Sequence, residues 1–192
     1  MIYLIQRFFS EQFIHTVMKK GFSIKDIAYI GMAVALIESC KMALAFLPNI
    51  ELTSFWIVMF TLLMGWKALV IIPVFIAVEA GLYGPHVWVI MYLYVWPILS
   101  ILTLIFRKNN SALFWALVSG FFGLAFGLLC TPAQVILLSK PDSLQKAFKA
   151  GFTWWAAGIP FDVAHCIGNF TLMLVLYHPI RVAVNKLRHE PR

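Results

Sequence analysis

Four acidic side chains and one histidine stand in stretches of sequence that are otherwise apolar. Glu38, Glu51, Glu79 and Asp162 carry the carboxylates, and His165 follows Asp162 by three residues. Charged groups are costly inside a membrane, so by default they mark a functional site or an internal pairing. Asp162 and His165 have the residue types of an acid–base pair, but no nucleophile accompanies them at a fixed spacing.

The spacing of these residues predicts which of them share a helix face. Asp162, His165 and Asn169 recur at i, i+3 and i+7, and therefore lie on one face of a helix. That face forms either an internal hydrogen-bond network or the lining of a ligand cavity. Glu38 and Lys41 are three residues apart and can face each other. They form either a structural pair or a contact to a substrate or partner.

Aromatic residues crowd the same end of several apolar stretches. An interfacial belt explains Trp88, but Tyr92 and Trp96 run deeper than a belt requires. Aromatic walls with a few convergent polar groups are typical of a small-molecule cavity, and Tyr83 stands one turn beyond Glu79. The other polar residues that we expect at this end are Asn49, Glu51, His86, Gln134 and Asp162.

The composition predicts that lipid surrounds most of the chain. Of its 192 residues 62% are hydrophobic and only 12% are charged, against about 25% charged in ordinary soluble domains. The net charge of +7 does not indicate a nucleic-acid partner, because no basic helix or aromatic-basic array is present. The three cysteines form no C-x-x-C pair and are interpreted as small buried hydrophobic residues rather than metal ligands.

The apolar pattern predicts six transmembrane helices in a compact, all-α integral membrane bundle. The second and third stretches are short, but merging them would leave Lys67 near the middle of the membrane. The six predicted spans are about 27–47, 50–64, 67–83, 87–106, 112–138 and 152–180.

The basic residues predict the orientation and the domain limits. Lys140, Lys146 and Lys149 fall between the fifth and sixth spans, Lys41 falls within the first, and all other Lys and Arg residues fall on the side of the termini. The positive-inside tendency therefore places both termini in the cytoplasm. We expect an amphipathic helix at the cytoplasmic interface over residues 1–24, a membrane domain over 25–185 and a basic cytoplasmic tail over 186–192.

The first span carries a ridge of small residues. Gly31, Ala35 and Ser39 repeat every four residues, and such ridges let helices approach closely in lipid. The ridge either packs inside the bundle or docks on another subunit. No metalloprotease, nucleophile-elbow or phosphate-loop motif is present, so the chain is predicted not to be an enzyme.

Several strings in a fixed order resemble one family. They are P-N-I-E-L-T-S at 48–54, the aromatic run 88–97, and G-I-P-F-D at 158–162 followed by His165 and by G-N-F at 168–170. Together they resemble the S components of energy-coupling factor (ECF) transporters, the subunits that capture vitamins. The resemblance covers nearly all of the membrane domain, and the size, the six spans and the basic charge agree with it.

The resemblance implies a function in transport. An S component binds its vitamin in a cavity open to the outside, and loops after the first, third and fifth helices close this cavity. It then topples in the bacterial plasma membrane while docked on a transmembrane coupling subunit attached to two ATPase subunits. The family docks through an A-x-x-x-A pattern on its first helix, for which Gly31-x-x-x-Ala35, with Ser39 next, is the nearest match here.

The resemblance is greatest to the cobalamin-specific subgroup, so cobalamin is the expected ligand, while pantothenate, folate and pyridoxine-type ligands stay open. His165 is assigned no metal role, and no intrinsic cofactor is expected. An intramembrane enzyme using Asp162 and His165, or a structural assembly protein, are the rival hypotheses. The residues expected to bind substrate are Asn49, Glu51, Glu79, Tyr83, His86, Tyr92, Trp96, Gln134, Asp162, His165 and Asn169.

Overall fold

A computed structural model describes residues 22–189, and throughout this range the chain folds into helices and connecting loops without strands. A 3-10 segment, Gly65–Val70, joins the second and third helices, and a π-helical turn, Val135–Ser139, extends the fifth. The six α-helices of the described part are α1 Ile24–Ala43, α2 Thr53–Met64, α3 Ile71–Tyr83, α4 Val87–Ile105, α5 Ala112–Gln134 and α6 Leu144–His189.

Several of these helical stretches are long and apolar enough to cross a membrane. Within residues 22–189 they are Thr53–Tyr83, Val87–Ile105, Ala112–Ser139 and Leu144–Lys186. Long apolar helices in series are typical of an all-α, multi-pass membrane protein. The predicted amphipathic helix at 1–24 lies almost entirely outside the described residues.

The stretch Thr53–Tyr83 reverses direction in its middle. Trp56 Nε1 donates a hydrogen bond to Cys40 Sγ at 3.3 Å, and Lys41 Nζ lies 2.5 Å from Glu79 Oε1. A straight helix would separate Trp56 from Glu79 by about 35 Å, yet both contact adjacent residues of α1. Gly65 makes the reversal with φ 61° and ψ −135°, a conformation that favours glycine. Hence α2 and α3 are separate antiparallel helices of 12 and 13 residues.

Contacts between neighbouring helices indicate that consecutive helices of residues 22–189 run in alternating directions. The Asp26 carboxylate at the start of α1 pairs with Lys67 in the 3-10 segment at 2.7 Å. Arg181 near the end of α6 donates to Asn110 before α5 at 2.6 Å. Lys41 near the end of α1 pairs with Glu79 near the end of α3, at the side of the bundle away from Asp26 and Lys67. We call the end with Asp26 and Arg181 the terminal end, and the end with Lys41 and Glu79 the cavity end.

Several helix limits differ from those predicted. Helix α1 ends at Ala43 and is followed by a loop over 44–52, which was assigned partly to the first two spans. Helix α6 begins at Leu144 rather than 152 and continues to His189 rather than 180. Ser143 Oγ accepts a hydrogen bond from Lys146 N and begins the helix. Lys146 and Lys149 in the first two turns interrupt the apolar pattern, which explains the late predicted start.

Glycines bring α5 and α6 into close contact. A Cβ atom on Gly123 would lie 2.9 Å from the His165 carbonyl oxygen, and one on Gly127 would lie 2.4 Å from Asp162 Oδ2. Small residues permit such approach between membrane helices. The glycine face of α5 therefore holds the polar face of α6 inside the bundle, and this contact positions His165.

Candidate functional site

A cavity of about 680 Å³ lies at the cavity end of the bundle. The loop 44–52 forms one side, and the ends of α1, α3 and α4 with parts of α5 and α6 form the others. Its volume falls within the usual range of small-molecule sites, about 300–1,000 Å³. The lining residues are Lys41, Leu44, Ala45, Leu47, Pro48, Asn49, Ile50, Glu51, Glu79, Tyr83, His86, Trp88, Met91, Tyr92, Phe126, Cys130 and His165.

Residues far apart in the sequence meet in this cavity. Seven of the residues expected to bind substrate line it, namely Asn49, Glu51, Glu79, Tyr83, His86, Tyr92 and His165. They come from the first interhelical loop, from the α3–α4 connection with its flanking turns, and from the middle of α6. The fold therefore gathers these residues in one place although they span more than half of the chain.

Four of the expected residues lie elsewhere. Trp96 is fully buried beneath the cavity and packs against Tyr92, with 5.3 Å between ring centroids. Asp162 Oδ1 accepts a hydrogen bond from Gly127 N at 2.9 Å. Asn169 Nδ2 donates to Ser54 Oγ and to the Ser119 carbonyl oxygen, at 3.1 and 3.3 Å. Gln134 is half-buried near the end of α5.

Three carboxylates surround one ammonium group. Lys41 bonds Glu79 across the helices rather than Glu38 on its own helix, because its long side chain reaches α3. Glu38 is buried and its carboxylate lies beside that of Glu79. Glu51 is close enough to both Lys41 and Glu79 to interact with them electrostatically. This end of the bundle is therefore acidic.

Glu51 belongs to the loop between α1 and α2. Burial raises the pKa of this carboxyl above its ordinary value, and the nearby Lys41 ammonium opposes that rise. Glu51 Oε2 also accepts a hydrogen bond from Thr53 Oγ1 at 3.1 Å, at the first residue of α2. The loop thus carries an ionisable group directly over the cavity.

Aromatic rings form the wall around Lys41. Its Nζ atom lies 5.6 Å from the ring centroids of Tyr83, Trp88 and Tyr92, and 5.9 Å from that of Phe75. These distances fall within the usual limit for attraction between a cation and a ring face, about 6 Å. The ammonium group therefore sits in an aromatic cage closed by the Glu79 carboxylate.

His165 brings a polar atom to the deepest part of the lining. The residue is 4% exposed, its ring packs edge-on against Phe126 at 4.9 Å, and its Nε2 atom has no hydrogen-bond partner within residues 22–189. Buried polar atoms in proteins are usually hydrogen-bonded, so this nitrogen needs a hydrogen-bond partner. Three or more His, Cys, Asp or Glu side chains suited to hold a metal do not come together in the described part of the chain.

Other lining residues had no signal in the sequence. Met91, Phe126 and Cys130 belong to apolar stretches and are indistinguishable there from residues that face lipid. Trp88 was interpreted as part of an interfacial belt, yet it lines the cavity, and its ring is tilted against that of Tyr92 with 5.3 Å between the centroids. Only tertiary packing identifies these residues as part of the site.

The small-residue ridge of α1 faces away from the bundle. Gly31, Ala35 and Ser39 are all exposed, and a Cβ atom on Gly31 would meet nothing within 4 Å. On the other side of α1, Ile30, Val34 and Ile37 are buried against the other helices. The ridge is therefore a bare strip on the outer surface.

No family model matches the sequence, no curated protein matches it, and no solved structure matches the fold.

Proposed function

We propose that the chain is the substrate-capturing S component of an ECF-type vitamin importer. The observation that carries the proposal is the convergence of charged, polar and aromatic side chains on one cavity of about 680 Å³ at one end of an apolar bundle. All six helices cross the membrane in this proposal, with α2 and α3 as a short hairpin pair. The termini then lie in the cytoplasm, and the cavity opens to the outside of a bacterial plasma membrane.

The loop 44–52 acts as the gate of the cavity. It supplies Leu44, Ala45, Leu47, Pro48, Asn49, Ile50 and Glu51 to the lining. Phe46 in the same loop is exposed, and Asn49 has a positive φ of 57°. A loop without regular structure, held at both ends by helices, moves at lower cost than a packed helix. Closure of this loop over the ligand would commit it to import.

In this proposal, ATP hydrolysis by partner subunits drives transport. The transmembrane coupling subunit docks on the exposed strip of Gly31, Ala35 and Ser39, and two ATPase subunits drive the release of the vitamin inward. Exposure of small residues on a membrane helix supports close contact with a partner helix.

Cobalamin, which the resemblance implies, leads the candidate ligands. A corrinoid is larger than most ligands of cavities this size, so its capture requires the gate loop to open widely. Among the alternatives, pantothenate and folate carry carboxylates, which the acidic cavity end opposes. A pyridoxine-type ligand carries none, so the charge of the site opposes it less.

The rival hypotheses have less support from the geometry. An acid–base pair needs both groups at the substrate, whereas Asp162 bonds Gly127 and does not line the cavity. A structural assembly protein needs polar residues that pair across helices, as Asn169 does with Ser54. That hypothesis leaves the open, ring-lined cavity unexplained.

Calorimetric titration of the purified protein in detergent with a vitamin panel, cobalamin first, tests the proposal. We expect one vitamin to bind with one-to-one stoichiometry. Tyr83→Ala removes an exposed ring of the cavity and should weaken binding at least about tenfold. Tyr29→Ala, which removes an equally exposed ring on α1, should leave binding unchanged. Absence of binding by folded protein across the panel would refute capture of these vitamins.

A further inference from the structure

The cage around Lys41 has the chemistry of a cation-binding site. Tyr83, Trp88 and Tyr92 belong to the cavity lining, and each places its ring centroid 5.6 Å from the ammonium nitrogen. Glu79 closes the cage from α3 at 2.5 Å. Ring faces with an adjacent carboxylate stabilise ammonium groups in general, whether these belong to a side chain or to a ligand.

The charges of the cavity end are not balanced by Lys41 alone. Glu38, Glu51 and Glu79 are grouped around it, and among the described residues that line the cavity Lys41 is the one Lys or Arg. A second cation would reduce the repulsion among these carboxylates, whereas an anionic ligand would increase it. Electrostatics thus favours a positively charged ligand.

An unsatisfied atom of Glu79 points to the same ligand class. Glu79 is 0% exposed and lines the cavity, but its Oε2 atom receives no hydrogen bond within residues 22–189. Its neighbour Glu38 is a second buried carboxylate, and it lies beside that of Glu79. Buried carboxylate oxygens need donors, and a ligand with a cationic nitrogen supplies charge and, where protonated, N–H groups together.

We infer that the cage is the subsite for a cationic nitrogen of the ligand, and that Lys41, whose ammonium group occupies the cage, is a tethered competitor for it. This inference rests on the proposed function, because it names the charge class of the captured molecule. An organic cation entering the cavity displaces the Lys41 ammonium from Glu79 and takes its place among the rings. If Lys41 instead bound an anionic group of the ligand, removal of the lysine would weaken ligand binding rather than strengthen the binding of a cation.

The test compares two probes of the same shape that differ in charge. Choline carries a quaternary ammonium group, and 3,3-dimethylbutan-1-ol is its neutral analogue. Calorimetry and thermal unfolding are measured on the full chain in detergent. We expect choline to bind and raise the melting temperature, and the neutral alcohol to do neither. Equal effects of the two probes, or no effect of choline, would overturn the inference.

Variants decide the role of Lys41. Lys41→Met should bind choline about tenfold more tightly, because the competing cation is gone. Lys67→Met is the control, since Lys67 pairs with Asp26 at the terminal end and choline affinity should not change. Unchanged or weaker choline binding by Lys41→Met would overturn the competitor role. If Lys41→Met does not fold, Trp88→Leu tests the cage instead. Loss of this ring should weaken choline binding, and unchanged binding would refute the cage.

Failure of this inference is distinguishable from failure of the proposed function. A neutral or acidic vitamin that binds tightly, with no discrimination between choline and the alcohol, would refute the cation subsite and leave vitamin capture intact. Discrimination between the two probes without binding of any vitamin would refute vitamin capture and leave the cation subsite intact.

Discussion

The Asp162 carboxylate depends on a glycine of the neighbouring helix. Gly127 N donates to Asp162 Oδ1 at 2.9 Å, and the missing side chain of Gly127 leaves the room that the carboxylate occupies. A buried carboxylate that loses its hydrogen-bond donor, or the room that it occupies, destabilises the folded protein. This contact therefore fixes how α6 packs against α5 and, one turn further along α6, where His165 lies.

Gly127→Ala should therefore destabilise the protein. Its Cβ atom would lie 2.4 Å from Asp162 Oδ2, so the carboxylate must move, at a cost of about 1–3 kcal/mol. Gly158→Ala in α6 is the matched control, because its Cβ atom meets nothing within 4 Å. Thermal unfolding in detergent measures both. Equal melting temperatures of the two variants would contradict the close α5–α6 contact.

Asn169 links three helices without touching the cavity. Its amide donates to Ser54 Oγ of α2 and to a carbonyl oxygen of α5. A double-mutant cycle of Asn169→Ala and Ser54→Ala should give a coupling free energy of about 0.6 kcal/mol, the average for such bonds in lipid. Ligand affinity should stay unchanged in all three variants. A loss of affinity larger than the loss of stability would place Asn169 at the ligand after all.

At this scale the sequence indicates which polar residues face inward but not which partners they bond. The face of α6 with Asp162, His165 and Asn169 was predicted from spacing, yet His165 is the member that lines the cavity. The other two bond to Gly127 and Ser54, on helices whose approach no local pattern reveals. Seven of the eleven residues expected at the substrate line one cavity, because polar residues in apolar stretches must point inward.

At the scale of elements, an ion pair holds the start of α1 against the turn between α2 and α3. Ser23 caps α1 and exchanges hydrogen bonds with Asp26, and Lys67 reaches Asp26 from the 3-10 segment. The hydrogen bonds from Lys67 and Ser23 hold the pKa of Asp26 at about 2, below its ordinary value of 3.8. Asp26 precedes the predicted first span and lies at the terminal end.

Asp26→Asn should lower the melting temperature at neutral pH, because the ionised carboxylate stabilises the fold. The pKa is lower in the folded state, so this stabilisation is present above pH 3.8 and is lost as the pH falls through about 2. The difference in melting temperature between wild type and variant should therefore disappear as the pH falls over that range. Asp142→Asn is the control, since its pair with Lys146 is exposed and contributes little. A gap independent of pH would contradict the ionic origin.

Element limits were predictable where the apolar pattern was continuous. The reversal between α2 and α3 was expected because Lys67 could not lie within a single long span, and Gly65 provides its turn. The first turns of α6 were missed, because lysines interrupt the pattern while Phe148 and Phe152 remain exposed. Pattern alone does not separate an amphipathic extension from a loop.

At the scale of the whole molecule, the bundle has a cavity at one end and a bare strip on the side. The strip follows the exposed face of α1 through Gly31, Ala35 and Ser39. The cavity and the strip use different side chains of α1, since Glu38 is buried and Lys41 reaches Glu79 whereas the strip residues are exposed. If the proposed function holds, capture of ligand and docking of a partner are therefore separable by mutation.

Ala35→Trp should spare ligand binding and abolish uptake, because the indole keeps a partner helix away from the strip. Leu117→Trp on the exposed face of α5 is the control and should retain both activities. Calorimetry measures binding, and uptake is measured in cells that express the coupling subunit and the ATPases. Normal uptake by Ala35→Trp would remove the strip from the docking surface.

The central claim is that this chain captures a vitamin for an ATP-driven module. The most direct test is uptake of the radiolabelled vitamin that the panel identifies, in cells producing the chain with or without the coupling subunit and the two ATPases. We expect accumulation only when all components are present, and its loss when the ATPases carry inactive nucleotide sites. Accumulation by the chain alone, or none with the complete set, would contradict the account.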